Sequence, residues 1–185
     1  MKSISLFTIR YFLLLPGLLF FFFLSCEQPA TSFPEESEAV IVKKSNPDIP
    51  VLNEAVIRVM TWNIRFGIGR GPWFGDACGY KVAYTEAEVK AKLDEIISEI
   101  NRDKPDILLI QEVDLPSTRS GYVDQVKYIL NRTYFNYVAF APQWKAQFVP
   151  SDGLGRLEEM NAIYSRWPLS DAIRTQLDLR SNQMA

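Results

Sequence analysis

With 185 residues, 48% of them hydrophobic and 13% aromatic, the chain has the composition of a globular protein with one domain's worth of core, which excludes a disordered polymer. Its 20 basic and 22 acidic residues leave a formal net charge of −2, which excludes a broad nonspecific duplex-DNA surface but admits a phosphate-bearing substrate held through a metal. There is no histidine, and two cysteines, Cys26 and Cys78, cannot build a disulfide framework.

Lys2 and Arg10 precede an apolar block from Tyr11 to Leu24, followed by Ser25 and Cys26. As a helix, a block of about 14 residues spans roughly 21 Å, short of the ~30 Å hydrocarbon core that a membrane span must cross. It reads as the apolar region of a secretory signal. The ending FFLSC resembles the lipobox of bacterial lipoproteins, in which a small residue precedes a cysteine that is acylated and becomes the mature N-terminus. Ser25 and Cys26 fit that pattern; Phe23 and Leu24 depart from its commonest form. The resemblance implies a signal peptide over residues 1–25, lipidation at Cys26 and an extracytoplasmic, membrane-anchored protein. An ordinary signal peptide would instead give a secreted one. Residues 26–55 are rich in Pro, Glu, Ser and Asn, with one short apolar island at Ala39 to Val42, and predict a flexible tether.

The domain is expected over residues 56–185. VIRVMTWNIRF, from Val56, places apolar groups on both faces and predicts a buried strand. The adjoining GIGRGPWFGDACGY is not a dinucleotide-binding turn, because the third glycine position falls on Pro72 and no helix opens there. Cys78 in that loop reads as a small filler. Thr85 and Glu88 form a capping box, and Val89, Leu93, Ile96, Ile97 and Ile100 recur at helical spacing, predicting a helix over Glu86 to Arg102 with Pro105 just beyond. Asp106 to Val113 is the next strand, so strand, crossover helix and strand make a βαβ unit with parallel strands. A second helix is predicted over Val123 to Asn131, and strands over Asn136 to Ala141, Glu159 to Tyr164 and Ala172 to Leu177.

DILLIQEVD, from Asp106, poses the chemical question: an apolar strand stops at Gln111 and Glu112, where a carboxylate is expensive to bury. Ligands of open α/β sheets bind beyond the carboxyl ends of parallel strands, and here those ends are Asn63 and Gln111-Glu112. Oxygen donors without histidine or thiolate suit a hard cation such as Mg²⁺. On residue types alone, a strand end that simply meets solvent remains the alternative.

TWNIRFG, DILLIQEVD, TRSGYVDQ and NAIYSRWPL, in that order and spacing, resemble the first half of the endonuclease/exonuclease/phosphatase family of DNase I-like nucleases, sphingomyelinases and inositol-phosphate phosphatases. The resemblance implies an α/β fold, the first half of a four-layer sandwich in which two packed mixed sheets are flanked by helices. It implies a divalent-metal-dependent phosphoester hydrolase using Mg²⁺ or Mn²⁺. Glu112 would be the metal-ligating glutamate, and Asn63 would help order metal and phosphate, both as catalytic residues. Asn161 would lie near the cleft as a substrate-binding residue. Arg119 would brace its loop or touch phosphate, and Asp124 would cap or begin the second helix. The substrate would be a phosphate ester of a nucleic acid, a phospholipid or a small molecule, and no protein partner is evident. The family's later motifs, a G-D-x-N strand end and a terminal aspartate-histidine pair, are absent from these residues. A truncated, inactive chain with one sheet face uncovered is therefore the expectation; the alternative is a noncatalytic surface lipoprotein that keeps part of the fold.

Overall fold

The structure, a computed structural model, describes residues 31–51 and 56–177, so the predicted signal peptide and Cys26 lie outside the described residues. In chain order the elements are β1 (Glu36–Glu38), β2 (Val40–Lys43), β3 (Val59–Asn63), α1 (Glu86–Asp103), β4 (Ile107–Asp114), α2 (Gln125–Arg132), β5 (Tyr137–Val149), β6 (Gly155–Ser165) and β7 (Ile173–Thr175). A five-stranded mixed sheet has the order β2-β5-β6-β4-β3, and β1 and β7 form a separate antiparallel pair. The predicted βαβ unit is present: β3 and β4 are parallel and directly paired, and α1 is their crossover.

Helix α1 begins where its capping box says it should. The Thr85 hydroxyl accepts the Glu88 N–H, and the Glu88 carboxylate accepts the Thr85 N–H. It ends at Lys104, whose left-handed backbone returns its N–H to the Ile100 carbonyl, and Pro105 prevents continuation. Its apolar stripe of Val89, Leu93, Ile96, Ile97 and Ile100 is buried against one face of the sheet together with Val126, Ile129 and Leu130 of α2. That sheet face is built by Leu108 and Ile110 of β4, Ala162 and Tyr164 of β6, and Val138 of β5, each 2% exposed or less. Each such fully buried aliphatic side chain stabilises by about 1.5–3 kcal/mol, so this layer holds the domain.

Among the described residues the opposite face is only partly covered: Tyr137 and Ala139 of β5 are buried on it, while residues on the flanking strands are exposed. Register places Ile41, Ala139, Ile163, Leu109 and Thr61 in one row across it, and Ile41 and Ile163 are 39% and 40% exposed. This corrects the prediction of a strand buried on both faces from Val56. The strand proper is Val59–Asn63 and lies at the sheet edge. Met60 and Trp62 turn toward α1, while Val59 is 60% exposed; Val56 and Ile57 precede the strand and are exposed too. A side chain's burial needs a second layer, and only one face of β3 has one.

The flexible tether predicted over residues 26–55 is corrected across its described part. Thr31 donates to the Lys145 carbonyl at 2.9 Å, Val40 pairs with Phe140 and Lys43 with Tyr137. The backbone of Asp48 is then held on both sides by the Asn136 carboxamide. The chain thus descends along β5 and closes its edge, and the β-branched run Val40-Ile41-Val42 is the part that pairs. Strands β5 and β6 also outrun their predicted lengths, continuing as a hairpin whose rungs include Trp144 with Glu159 and Lys145 with Glu158.

Candidate active site

The end of β4 is where the sheet becomes irregular. Ile110 faces Ala162 and Val113 faces Met160, so Gln111 and Glu112 together oppose the single residue Asn161. This is a β-bulge, the device by which a sheet re-aims a side chain. Glu112 occupies it with φ of 56°, in the left-handed region that a glutamate rarely enters. On the other side Gln111 pairs with Asn63, the last residue of β3. The three predicted polar residues Asn63, Glu112 and Asn161 therefore lie in one row across the carboxyl end of the sheet.

Asn63 shapes the turn after β3. Its Oδ1 accepts the Arg65 N–H at 2.9 Å, closing an Asx turn, after which Arg65, Phe66 and Gly67 are all left-handed with φ of 50°, 42° and 69°. That turn buries Phe66 and carries the chain over the ends of β3 and β4. A groove of about 910 Å³ opens beside it, with Trp62, Asn63, Arg65, Trp73, Lys92 and Glu112 among its walls. The Arg65 guanidinium is held by Asp76 and by the Gly69 carbonyl at 3.1 Å. The Asn63 amide nitrogen and the Glu112 carboxylate have no hydrogen-bond partner among the described residues and remain available.

Beneath this row lies a buried ionic cluster. Arg119, 2% exposed, donates from Nε and Nη2 to both oxygens of Asp114 at 3.0 and 2.8 Å, and from Nη2 to Glu159. Ser120 Oγ adds a bond to Asp114 at 2.7 Å, and the Arg119 guanidinium stacks on Phe66 at 3.8 Å. Burial pushes the carboxyls of Asp114 and Glu159 up, Arg119 pulls both down against it, and the charge of Glu112 pushes both up further. Two acids thus share one guanidinium, with a third carboxylate above them. Gln125 completes the frame: its Oε1 accepts the Asp114 N–H and its Nε2 donates to the Phe66 carbonyl at 2.8 Å, tying β4 to the turn after β3.

The prediction that Arg119 binds substrate is corrected by this geometry. Its side chain is sealed under the site and engaged with Asp114 and Glu159, so its part is to brace. Asp124 caps α2 as expected, accepting the Lys127 N–H. Sequence reasoning missed Asp114 and Glu159. The available signal was a second acid closing DILLIQEVD five residues before an arginine, which makes sense if the pair is buried together. Gly121 was also undervalued: with φ of 62°, a Cβ on it would lie 2.4 Å from the Glu86 nitrogen, so glycine lets the Arg119 loop pack on the start of α1.

Among the described residues no group of three or more histidine, cysteine, aspartate or glutamate side chains could hold a metal. The donor set fits a hard cation in a narrower way. One free carboxylate and a neighbouring carboxamide match the mode in which Mg²⁺ takes one or two protein oxygens and leaves its other positions to water and substrate phosphate.

A mixed sheet covered by helices on one face, with a carboxylate and a carboxamide at the ends of its parallel strands, defines an α/β protein. The chain belongs to the endonuclease/exonuclease/phosphatase family, whose sequence profile matches residues 60–183, more than half of the 185. The match spans Asn63, Glu112, Arg119 and Asn161, and carries with it a nuclease/phosphatase-type hydrolase fold. No curated protein and no solved structure matches the chain.

Proposed function

We propose that the protein is a divalent-metal-dependent phosphoester hydrolase of the extracytoplasmic membrane surface, anchored through lipid on Cys26. The observation that carries the catalytic reading is Glu112: a carboxylate without a partner among the described residues, held in a left-handed bulge between Asn63 and Asn161. Glu112 and Asn63 would hold Mg²⁺ or Mn²⁺, which when bound polarises a phosphoryl oxygen and steadies the leaving oxygen. Asn63, through its free amide, and Asn161, exposed one strand away, can donate hydrogen bonds to phosphate oxygens and orient the ester. The buried cluster below keeps the strand end that carries Glu112 fixed. No histidine exists to take a proton from the attacking water, so these 185 residues alone turn over slowly or not at all.

The test is a melting curve of the protein with and without Mg²⁺ or Mn²⁺, for wild type and Glu112→Gln, beside hydrolysis of a chromogenic phosphodiester. A metal-dependent rise in Tm that disappears in the variant supports the site. An equal rise in both proteins removes Glu112 as ligand. One feature favours a second reading, a noncatalytic surface protein: the lack of a three-acid cluster among the described residues. Hydrolysis that needs both the metal and Glu112 excludes that reading. The anchor is tested separately by the mass of the membrane-fraction protein and by Cys26→Ser, which should release it to the soluble fraction; a variant that stays membrane-bound with unchanged processing refutes lipidation.

A further inference from the structure

We propose that the domain docks on the bilayer with its candidate-site end down, the β5–β6 hairpin being the contact surface; this rests on the anchoring of Cys26. The path of the N-terminal segment sets the direction. Only residues 27–30 separate Cys26 from Thr31, whose N–H is bonded to the Lys145 carbonyl. Five Cα steps reach at most about 18 Å, so Thr31 stays close to an acylated Cys26. From there the chain runs away from the anchor, with Val40 beside Phe140, Lys43 beside Tyr137 and Asp48 on Asn136.

Lys145 is at the same end of the sheet as Glu112. Asp114, two residues beyond Glu112, pairs with Glu159, and Glu159 pairs with Trp144. The opposite end, where Lys104 precedes β4, lies across the eight residues of that strand, which at 3.3 Å each amount to about 26 Å. The short link can therefore reach the membrane from the site end and not from the far one.

The hairpin has the chemistry to meet an interface. Trp144 is 37% and Phe148 61% exposed, on the strand that receives Thr31. The cations beside them are already matched, Lys145 and Arg156 both pairing with Glu158. An aromatic pair with compensated charge suits the headgroup region of a bilayer regardless of its net charge. In this orientation the row of Asn63, Glu112 and Asn161 is presented to phosphates of lipid headgroups.

The experiment uses the full-length lipidated protein in phosphatidylcholine vesicles, in a Cys78→Ser background because Cys78 is an exposed free thiol. An environment-sensitive dye is placed at Gln147→Cys or at Lys104→Cys, with a quencher carried on lipid. Quenching at Gln147→Cys without quenching at Lys104→Cys is the expected result. Quenching at the far site alone, at both or at neither overturns the orientation. In the unanchored Cys26→Ser protein, Phe148→Ala should lower vesicle partitioning by about tenfold, the effect of withdrawing one aromatic side chain from an apolar phase; unchanged partitioning overturns the contact surface. The mass of the membrane-fraction protein reports on lipid at Cys26 alone, whatever the hairpin does, so the failure of the anchor and that of the orientation are distinguishable.

Discussion

Glu112 is a residue whose backbone works against its side chain's presence. A non-glycine residue held at φ of 56° loses roughly 1 kcal/mol or more relative to ordinary conformations, and asparagine or glycine tolerates the region better. Strain kept at a strand end next to free polar groups is strain with a chemical purpose, so Glu112→Asn should raise Tm by a few degrees while abolishing the metal-dependent shift; a lower Tm would mean that the glutamate is there for stability. Arg119 makes the reverse case. Arg119→Met strands Asp114 and Glu159 in the interior and should destabilise by about 3–5 kcal/mol in denaturant titration, whereas a substrate contact would change affinity and leave stability alone. The cluster also sets a pH dependence with a definite sign. Because the carboxyls of Asp114 and Glu159 are raised, the native state binds more protons than the unfolded one between the ordinary carboxylate range and those raised values. Stability falls as pH rises through that window and is flat above it. Glu159→Gln, which keeps an acceptor for Arg119 and removes one charge, should flatten the fall.

At the scale of elements, α1 shows what makes a segment legible. Its period, cap and stop are all local, so the helix could be read residue by residue and the structure moves its end only from Arg102 to Asp103. Thr85→Ala should cost about 1 kcal/mol in chemical denaturation. Lys81 and the Thr85 backbone and hydroxyl hold Glu88 down at about 2, so its share of the stability is complete above the ordinary carboxylate value of 4.5 and is lost as pH falls toward 2. Strand β3 was less legible, because an edge strand and a central strand share one apolar composition and differ only in what the rest of the chain places beside them. Strand β2 was hidden by its proline- and glutamate-rich flanks, although Val40, Ile41 and Val42 were visible as an apolar island. Its pairing suggests a test: deleting residues 31–44 bares the edge of β5, and the shortened protein should scatter more light than the parent at the same concentration.

For the whole molecule, the site was half visible in advance. Asn63 and Glu112 could be brought together because parallel strands end at one edge, an argument of topology that needs no side-chain detail. The ionic cluster could not, since its partners Asp114, Arg119 and Glu159 come from three elements and only folding reveals that they share one interior. The same distinction applies to the sheet's two faces. Strand periodicity says that residues alternate, but not that one set of them will lack a full covering layer. On the partly covered face Ile41, Ile163 and Val59 are 39%, 40% and 60% exposed, whereas Tyr164, one residue from Ile163, is fully buried. Exposed aliphatic side chains on a sheet face attract dye and other copies of the chain. The 185-residue protein should therefore bind an apolar fluorescent dye and self-associate with rising concentration. Ile163→Lys should reduce both while shifting Tm little, because a lysine there extends into solvent. Tyr164→Lys should abolish folding, since it puts a charge into the helix-covered core and removes the bond from the tyrosine hydroxyl to the Val126 carbonyl. A wild-type protein that stays monomeric and leaves the dye dark would show that this face is screened in solution.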